Sequence, residues 1–284
     1  MGIRVPRRSA ITLVAAGAFA SSGTLYLGVR NLLVGQAEQA RKAIPKAWDL
    51  PPRADGVYVA GDAAVQRFRH GTGVDLHLMV FGDSTATGYG CRNAEEVPGA
   101  LIAKALARRT GKRVRLSTKA IVGATSRGLA GQVDAMFVAG PPPEAAVIMI
   151  GANDITALNG IAGSAQRLCA AVKRLRAGGA VVVVGTCPEF GSVSAIPQPL
   201  RWVANTRAHQ LARAQTQAVK AAGGIAVPFA DFRAPQFHDN PELLFAQDQY
   251  HPSAAGYALA ASQMIPALCA LLGEPASHAV APSG

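Results

Sequence analysis

The sequence predicts an α/β fold, a three-layer α/β/α sandwich built around a five-stranded parallel sheet. Apolar, strand-like segments alternate with helix-like segments from about residue 73 onward. Such alternation implies helical crossovers between parallel strands. In addition, residues 145–150 and 180–184 contain almost no polar side chain, as expected for central strands that helices cover on both faces.

Ten elements follow one another in this pattern. The predicted strands are 75–82, 113–119, 145–151, 180–186 and 224–229, and the predicted helices are 94–109, 127–138, 161–177, 202–222 and 253–272. The last helix has a clear start signal. Pro252 disfavours helical geometry at His251, and Ser253 can cap the helix that follows.

The residues before the sheet have the pattern of a leader and a linker. Three arginines in the first eight residues precede an uncharged stretch at 10–27, as in an export signal whose basic end stays in the cytoplasm. A small-x-small pattern at 18–20 fits a removable signal peptide, whereas the uncharged stretch up to residue 29 is long enough to span a bilayer. We expect residues 1–30 to be a signal peptide or membrane anchor, and the rest to be exported, either secreted or membrane-anchored at the cell envelope.

The remaining boundaries follow from proline and from composition. A charged helix at 36–46 and prolines at 45, 51 and 52 predict a helical and linking segment over 31–72. One catalytic domain is then expected at 73–273, since 284 residues suffice for a single core plus a leader. The Pro-, Ala-, Ser- and Gly-rich residues 274–284 are expected to be a flexible tail.

The net charge of +11 does not indicate nucleic-acid binding. Residues 1–46 contain seven basic residues and one acidic residue, so this segment carries +6 of the total. No lysine-rich run with interleaved aromatic residues follows, and no nucleic-acid partner is therefore expected. Membrane contact is expected through the N-terminal segment instead.

The cysteines predict neither a metal site nor a redox motif. Cys91, Cys169, Cys187 and Cys269 include no Cys-x-x-Cys pair, although an exported protein can form disulfides. Cys169 and Cys269 lie in apolar, helix-like stretches and are interpreted as buried free thiols. No metal and no other cofactor is expected.

A candidate nucleophile lies where the first long strand ends. Ser84 follows the apolar run 76–81, and in an open α/β sheet that end is where ligands bind. A serine hydroxyl needs a base, and the base needs an orienting group. His251 and Asp248, three positions apart, can fill these roles. The plainer alternatives are a turn-capping Ser84 and a histidine at 251 buried in the core.

Two further residues can donate hydrogen bonds to a developing oxyanion. Gly123 follows the second strand and allows a close backbone approach, and Asn153 follows the third strand with a side-chain amide. Alternatively, Gly123 is a turn glycine and Asn153 a helix cap. Asp83 and Asp154 are interpreted as hydrogen-bonding braces rather than as reacting groups.

Together, Gly82-Asp83-Ser84, Gly123, Gly151-x-Asn153-Asp154 and Asp248-x-x-His251 resemble, in order, the four sequence blocks of the SGNH (GDSL) hydrolase family. The resemblance covers roughly residues 75–272, and its combination of blocks is highly specific. It implies a flavodoxin-like fold with Ser84 as nucleophile, His251 as base and Asp248 as orienting carboxylate. It also implies an oxyanion hole made by the Ser84 backbone, Gly123 and Asn153. With its exported, Ala-rich character, the chain resembles actinobacterial secreted or anchored esterases of this family.

The predicted function is a serine-dependent carboxylic-ester hydrolase that works through an acyl-enzyme. Loops at 85–93, 188–202 (with Phe190 and Trp202) and 232–245 should select the substrate. They lack long apolar runs, which favours short acyl or acetyl esters on a small molecule, a lipid or an acylated glycan of the cell envelope.

Several alternatives are weighed against this function. A thioesterase or acyltransferase would share the acyl-enzyme, and a non-catalytic envelope-binding module would share only the cleft. A metal-dependent phosphoesterase built from Asp83, Asp154, Asp248 and His251 would lack the extra histidines that such sites recruit. The Gly-x-Ser-x-Gly elbow of α/β-hydrolases is broken at Ala86.

Overall fold

The computed structural model describes residues 25–40, 42, 44, 50–62, 64–138 and 140–273, apart from the side chains of 232–235. The predicted tail at 274–284 and most of the predicted leader, residues 1–24, lie outside these ranges. The described part contains one sheet with helices on both faces. The predicted α/β/α fold class is confirmed.

The sheet has six strands, in the order β1-β3-β2-β4-β5-β6. They are β1 (Gly56–Tyr58), β2 (Leu76–Gly82), β3 (Val114–Thr118), β4 (Ala145–Met149), β5 (Val181–Gly185) and β6 (Ile225–Val227). Strands β2 to β6 are the five predicted ones, and they pair with one another in parallel. Their order is that of the flavodoxin-like doubly wound sheet.

Ten helices accompany the sheet in the described residues. Residues 25–40 form α1. The others are α2 (Ser84–Thr87), α3 (Pro98–Thr110), α4 (Leu129–Val138), α5 (Ala152–Thr156), α6 (Ile161–Ala177), α7 (Leu200–Ala221), α8 (Phe229–Asp239), α9 (Pro241–Leu244) and α10 (Ala254–Leu271). Two short 3₁₀ turns precede α3 and α4. Ser253 caps α10 as expected, because its hydroxyl accepts a hydrogen bond from the Gly256 N–H at 3.2 Å.

The sheet is buried because its strands are apolar on both sides. In β2, Leu78 and Val80 pack with α3 and α10, whereas Met79 and Phe81 pack with α4 and α6. Burying a side chain of this size stabilises the fold by about 1.5–3 kcal/mol. The two apolar layers hold the carboxyl ends of β2, β3 and β4 side by side.

Two segments differ from the sequence prediction. Strand β1 lies within 31–72 and pairs antiparallel with β3, so the sheet begins before residue 73. Its three residues are too few to show an alternating pattern. The predicted loop at 232–245 contains most of α8 and all of α9. The proline at 235 is unfavourable inside a helix, so the sequence does not predict α8.

The N-terminal helix also differs from the prediction. A charged helix is expected at 36–46, but the chain is already helical at residue 25, and residues 41, 43 and 45–49 lie outside the described part. Among the described helices, α10 is long and apolar enough to cross a bilayer by length and composition. Core helices of soluble proteins pass the same test, and Tyr257, Met264 and Leu268 of α10 are fully buried.

The four cysteines are unpaired in this structure. Cys269 is buried, as expected, whereas Cys169 is only partly buried. Burial raises the pKa of the Cys91 thiol to about 12, with a further contribution from the charge of Glu96. Cys91 is therefore a thiol rather than a thiolate at neutral pH.

Candidate active site

Ser84 is positioned by a sharp turn between β2 and α2. Gly82 has a φ of +134°, and a Cβ at this position would overlap the carbonyl oxygen of Met149 in β4. The Asp83 N–H donates to the same carbonyl at 3.1 Å. Ser84 then begins α2, so its backbone N–H is not used by the helix.

The structure brings the three predicted residues Ser84, His251 and Asp248 together. The His251 Nε2 lies 3.2 Å from the Ser84 Oγ, and the His251 Nδ1 lies 2.6 Å from the Asp248 Oδ2. Ser84 and His251 are each only 7% exposed. With Nδ1–H donating to the carboxylate, Nε2 is free to accept the serine proton. The plainer alternatives, a capping serine and a core histidine, do not account for this chain of contacts.

The Asp248 carboxylate is held by its own loop. Its Oδ1 accepts hydrogen bonds from the N–H groups of Tyr250 and His251 at 3.0 and 2.9 Å. Gln249, between them, has a φ of +54°, a left-handed conformation that non-glycine residues rarely adopt. Burial, the largest single influence, raises the pKa of Asp248, but the hydrogen bonds and charge of His251 outweigh it and the pKa is lowered. Asp248 therefore remains ionised at neutral pH.

Two aromatic rings enclose the imidazole. The ring centroids of Tyr89 and Tyr250 lie 4.5 and 4.9 Å from that of His251. The backbone of Tyr89 is fixed from α10, because the Tyr257 hydroxyl donates to the Tyr89 carbonyl at 2.7 Å. These contacts restrict rotation of the ring and exclude water from its faces.

The two predicted oxyanion donors lie in adjacent segments, Gly123 in the turn after β3 and Asn153 in α5. Gly123 has a φ of +79° in the turn after β3, and a Cβ there would meet no atom within 4 Å. The Asn153 Nδ2 donates to the Ala124 carbonyl at 3.1 Å and so joins α5 to this turn. The same amide has a second hydrogen to offer. Asn153 makes no cap hydrogen bond, since Gly151 occupies the cap position of α5.

Asp154 is the brace between these loops. It is fully buried and accepts hydrogen bonds from the Ser126 N–H (2.8 Å), the Ser126 hydroxyl (2.7 Å), the Ser164 hydroxyl (2.8 Å) and the Asn159 amide (2.9 Å). The Arg167 guanidinium lies 3.9 Å away. One carboxylate thus ties the turn after β3, the α5 segment and α6 to one another.

Asp83 supports the nucleophile from behind. It is almost fully buried, and its Oδ1 accepts from the Thr85 N–H at 2.9 Å, which caps α2. Burial raises the pKa of Asp83 to about 6, although hydrogen bonds from Thr85 and Gly151 and the charge of His251 oppose the increase. Both predicted braces, Asp83 and Asp154, therefore bind backbone or neighbouring polar groups.

Sequence reasoning missed two buried glutamines that close the strand ends. Gln132 of α4 bonds both the N–H and the carbonyl of Gly82, each at 2.8 Å. Gln215 of α7 accepts from the Cys187 N–H at 2.7 Å and donates to the Ile150 carbonyl at 3.0 Å. The available signal is a glutamine on an otherwise apolar helix face, which is weak without the structure.

A pocket with about 60 Å³ of free space, partly open to solvent, adjoins Ser84 and His251. Its walls are mainly aromatic or aliphatic: Phe190, Val193, Phe229, Phe237, Phe245 and Tyr250. Phe190, predicted as a substrate-selecting residue, lines the pocket, whereas Trp202 is not among its lining residues and is 66% exposed. Beneath the pocket, a Cβ on Gly185 would overlap the Phe229 ring.

The donor set for a metal-dependent phosphoesterase does not converge. Within the described ranges, no three His, Cys, Asp or Glu side chains form a group that fits a metal ion. Asp154 is occupied by the Ser126 and Ser164 hydroxyls. Asp248 is bound to the imidazole of His251 instead.

Comparisons with known proteins found a matching family model and a similar protein. Residues 80–259 match the model of the GDSL-like lipase/acylhydrolase family. The GDSL-like esterase Rv1075c of Mycobacterium tuberculosis (strain ATCC 25618 / H37Rv) is 68% identical over 264 residues, which cover 93% of this chain and 84% of that protein.

Solved structures share the fold at low sequence identity. TesA is 24% identical with a TM-score of 0.54, over 69% of this chain and 99% of its own. The psychrotrophic esterase EstA from Pseudoalteromonas sp. is 20% identical with a TM-score of 0.55, over 70% of this chain and 100% of its own.

Proposed function

This chain belongs to the GDSL-like lipase/acylhydrolase family and is a carboxylic ester hydrolase, and we propose that it works through an acyl-enzyme on Ser84. The observation that carries the proposal is the continuous hydrogen-bonded chain from the Ser84 hydroxyl through His251 to Asp248. The sequence-predicted roles of nucleophile, base and orienting carboxylate are assigned accordingly.

The first half of the reaction forms the acyl-enzyme. The Ser84 Oγ attacks the ester carbonyl carbon while His251 Nε2 takes the hydroxyl proton. Asp248, ionised beside Nδ1, stabilises the resulting imidazolium. The tetrahedral intermediate collapses when His251 returns the proton to the leaving alcohol. In the second half, a water molecule deprotonated by His251 attacks the acyl group and releases the acid.

The oxyanion of each tetrahedral intermediate needs fixed donors. We assign this role to the backbone N–H groups of Ser84 and Gly123 and to the Asn153 amide. One such donor typically contributes about 2.7–4 kcal/mol to lowering the barrier. Open space beside Gly123 and the spare amide hydrogen of Asn153 support the assignment.

The pocket supports short acyl groups as the preferred substrates. Its walls are buried side chains of the core: Phe190, Phe229 and Phe237 are each at most 5% exposed. An acetyl or similarly short chain fits among such rings, whereas a long chain would have to displace them. We propose acetyl or short acyl esters of lipid or cell-envelope molecules, and an exported enzyme held at or near the membrane, as its N-terminal charge pattern favours.

The test is hydrolysis of p-nitrophenyl esters of increasing chain length by the wild type, Ser84→Ala and His251→Ala. Both variants should lose at least about 10⁴-fold in kcat. Ser262→Ala, an exposed serine on α10, is the matched control and should keep full activity. Turnover should be greatest for acetate to butyrate. Full activity of Ser84→Ala would remove the proposed nucleophile and leave a binding module or another mechanism.

Product analysis separates hydrolysis from acyl transfer. The same acyl-enzyme can be discharged to an alcohol or a thiol, which would make the protein an acyltransferase. With competing alcohol present at low concentration, we expect the free acid as the main product. A transferred ester as the main product would contradict the hydrolase proposal but keep Ser84 as nucleophile.

A further inference from the structure

The start of α1 is apolar and exposed on all sides. Every residue from 25 to 32 is exposed, so no face of this part is buried against the described residues. The exposed apolar side chains are Leu25, Tyr26, Leu27, Val29, Leu32 and Val34, with exposed fractions between 46% and 70%. A helix with apolar side chains on all sides is typical of a buried or membrane-embedded environment.

The other end of α1 is fixed to the catalytic domain. The Gln36 Oε1 accepts from the Leu200 N–H at 3.0 Å, and the Gln36 Nε2 donates to the Gln198 carbonyl. Four residues later, Ala40 is 7% exposed and belongs to the same apolar cluster as Phe190 and Phe245 of the pocket wall. The helix is therefore attached to the start of α7, and its end packs in the apolar cluster that includes part of the pocket wall.

A large exposed aromatic residue lies beside this attachment. Trp202 is the third residue of α7, two positions after Leu200, and is 66% exposed. Tryptophan is enriched where proteins meet the membrane–water interface, because its ring is apolar and its N–H is polar. Arg30 on α1 is also exposed and adds a positive charge for anionic headgroups.

We propose that residues 25–34 of α1 and Trp202 form one lipid-binding surface, and that this surface holds the active-site pocket against a bilayer. Its substrates are then esters of amphipathic lipids that lie in the membrane interface. This inference rests on the ester-hydrolase function proposed above. The bilayer is the occupant because the exposed helix continues a stretch without charge, residues 9–29, that lies between Arg8 and Arg30.

The geometry sets the distance between lipid and pocket. Eight residues separate Leu32 from Ala40, which corresponds to about 12 Å along a helix. Ala40, which shares an apolar cluster with Phe190 and Phe245 of the pocket wall, thus lies about two headgroup layers from Leu32.

Fluorescence tests the contact of Trp202 with lipid. The chain has two tryptophans, so Trp48→Phe in the full chain leaves Trp202 as the single reporter. On reconstitution with vesicles of phosphatidylcholine and phosphatidylglycerol, its emission should shift to shorter wavelength and be quenched by brominated lipid. Unchanged emission, quenched equally by aqueous acrylamide with and without vesicles, would overturn the proposal.

Activity tests the consequence for the substrate. Trp202→Ala should hydrolyse a short-chain ester of a vesicle-borne lipid about tenfold more slowly, equivalent to ~1.4 kcal/mol. Its turnover of soluble p-nitrophenyl acetate should be unchanged. Val138→Ala changes another exposed apolar residue, at the end of α4, and as the control it should affect the rate on neither substrate.

Gln36→Ala tests whether the attachment of α1 matters. The variant should still sediment with vesicles but should hydrolyse the vesicle-borne ester several-fold more slowly. Equal rates of wild type, Trp202→Ala and Gln36→Ala on that ester would refute the lipid-surface proposal. A wild type that does not hydrolyse even the soluble ester would refute the proposed function instead.

Discussion

Asp248, which is partly buried, and Asp154, which is fully buried, are both aspartates of the candidate site, yet they are held in opposite ways. All hydrogen bonds of Asp248 come from residues within three positions along the chain. Those of Asp154 come from Ser126, Asn159 and Ser164, in three separate segments. The Asp248 carboxylate is therefore positioned mainly by its own loop, whereas the position of the proposed oxyanion donors depends on tertiary assembly.

The comparison predicts different consequences of mutation. A change at Asp248 should act on the chemistry of a correctly folded enzyme. A change at Asp154 should act first on folding and then, through Gly123 and Asn153, on the rate. The following experiments test this separation, from the largest expected effect to the smallest.

Asp248→Asn should lower kcat by about 10³–10⁴-fold, because an amide neither stabilises the imidazolium nor fixes the tautomer that leaves Nε2 free. KM for p-nitrophenyl acetate should change little. Steady-state kinetics measure both constants, and Asp239→Asn, on the exposed end of α8, is the control. A loss of less than tenfold would mean that the carboxylate does not orient His251.

Asn153→Ala should lower kcat by about 10²–10³-fold, since it removes one donor to the oxyanion. It also removes the hydrogen bond to the Ala124 carbonyl, so Asn153→Asp, which can place oxygen but no amide hydrogen there, should be equally slow. Asn240→Ala is the exposed control. If both variants kept wild-type kcat with unchanged KM, Asn153 would be only a structural residue.

Asp154→Ala should reduce the free energy of unfolding by about 3 kcal/mol, because buried hydroxyl and amide donors lose their acceptor. In the folded fraction, kcat should also fall about tenfold at constant KM. Urea denaturation and kinetics at equal folded fraction measure these effects. Asp134→Ala removes an exposed ion pair with Arg174 and should cost at most about 1 kcal/mol. A destabilised Asp154→Ala with wild-type kcat would show that the brace does not position the donors.

Asp83 gives the smallest effect, a dependence of stability on pH. Its pKa is about 6 in the folded protein and 3.8 ordinarily, so folding favours its protonated form. The contribution of the protonated Asp83 to the free energy of unfolding is complete below pH 3.8, is lost as the pH rises through 6, and is absent above that. The wild type should therefore lose about 2 kcal/mol more stability than Asp83→Asn between pH 4 and pH 7. If the stability of the wild type and that of Asp83→Asn changed equally with pH, burial would not raise the pKa of Asp83.

The sequence predicts the elements with strong local patterns. Four of the five parallel strands, all except β3, are mainly apolar runs, and α6 and α10 have clear lengths and ends, so they were predicted within a few residues. Ser84, Asp248 and His251 were also predicted, because a position at the end of a strand and a short spacing between two residues can be read from the sequence. Gly123 and Asn153 were predicted because each follows a strand of the sheet.

What the sequence does not predict depends on distant partners. Strand β1 has three residues and exists because β3 offers an unpaired edge. Gln132, Gln215 and the serines around Asp154 are ordinary polar residues until folding brings a strand end or a carboxylate beside them. Their importance comes from burial, which single-sequence patterns do not encode.

Gly185, the last residue of β5, has one further consequence. Because the Phe229 ring occupies the space that a side chain at 185 would need, the absence of a single methyl group lets that ring lie low under the pocket. In the proposed function, the space for the acyl chain then depends on a residue that does not itself line the pocket. A larger residue at position 185 would displace the Phe229 ring and is expected to change chain-length selectivity.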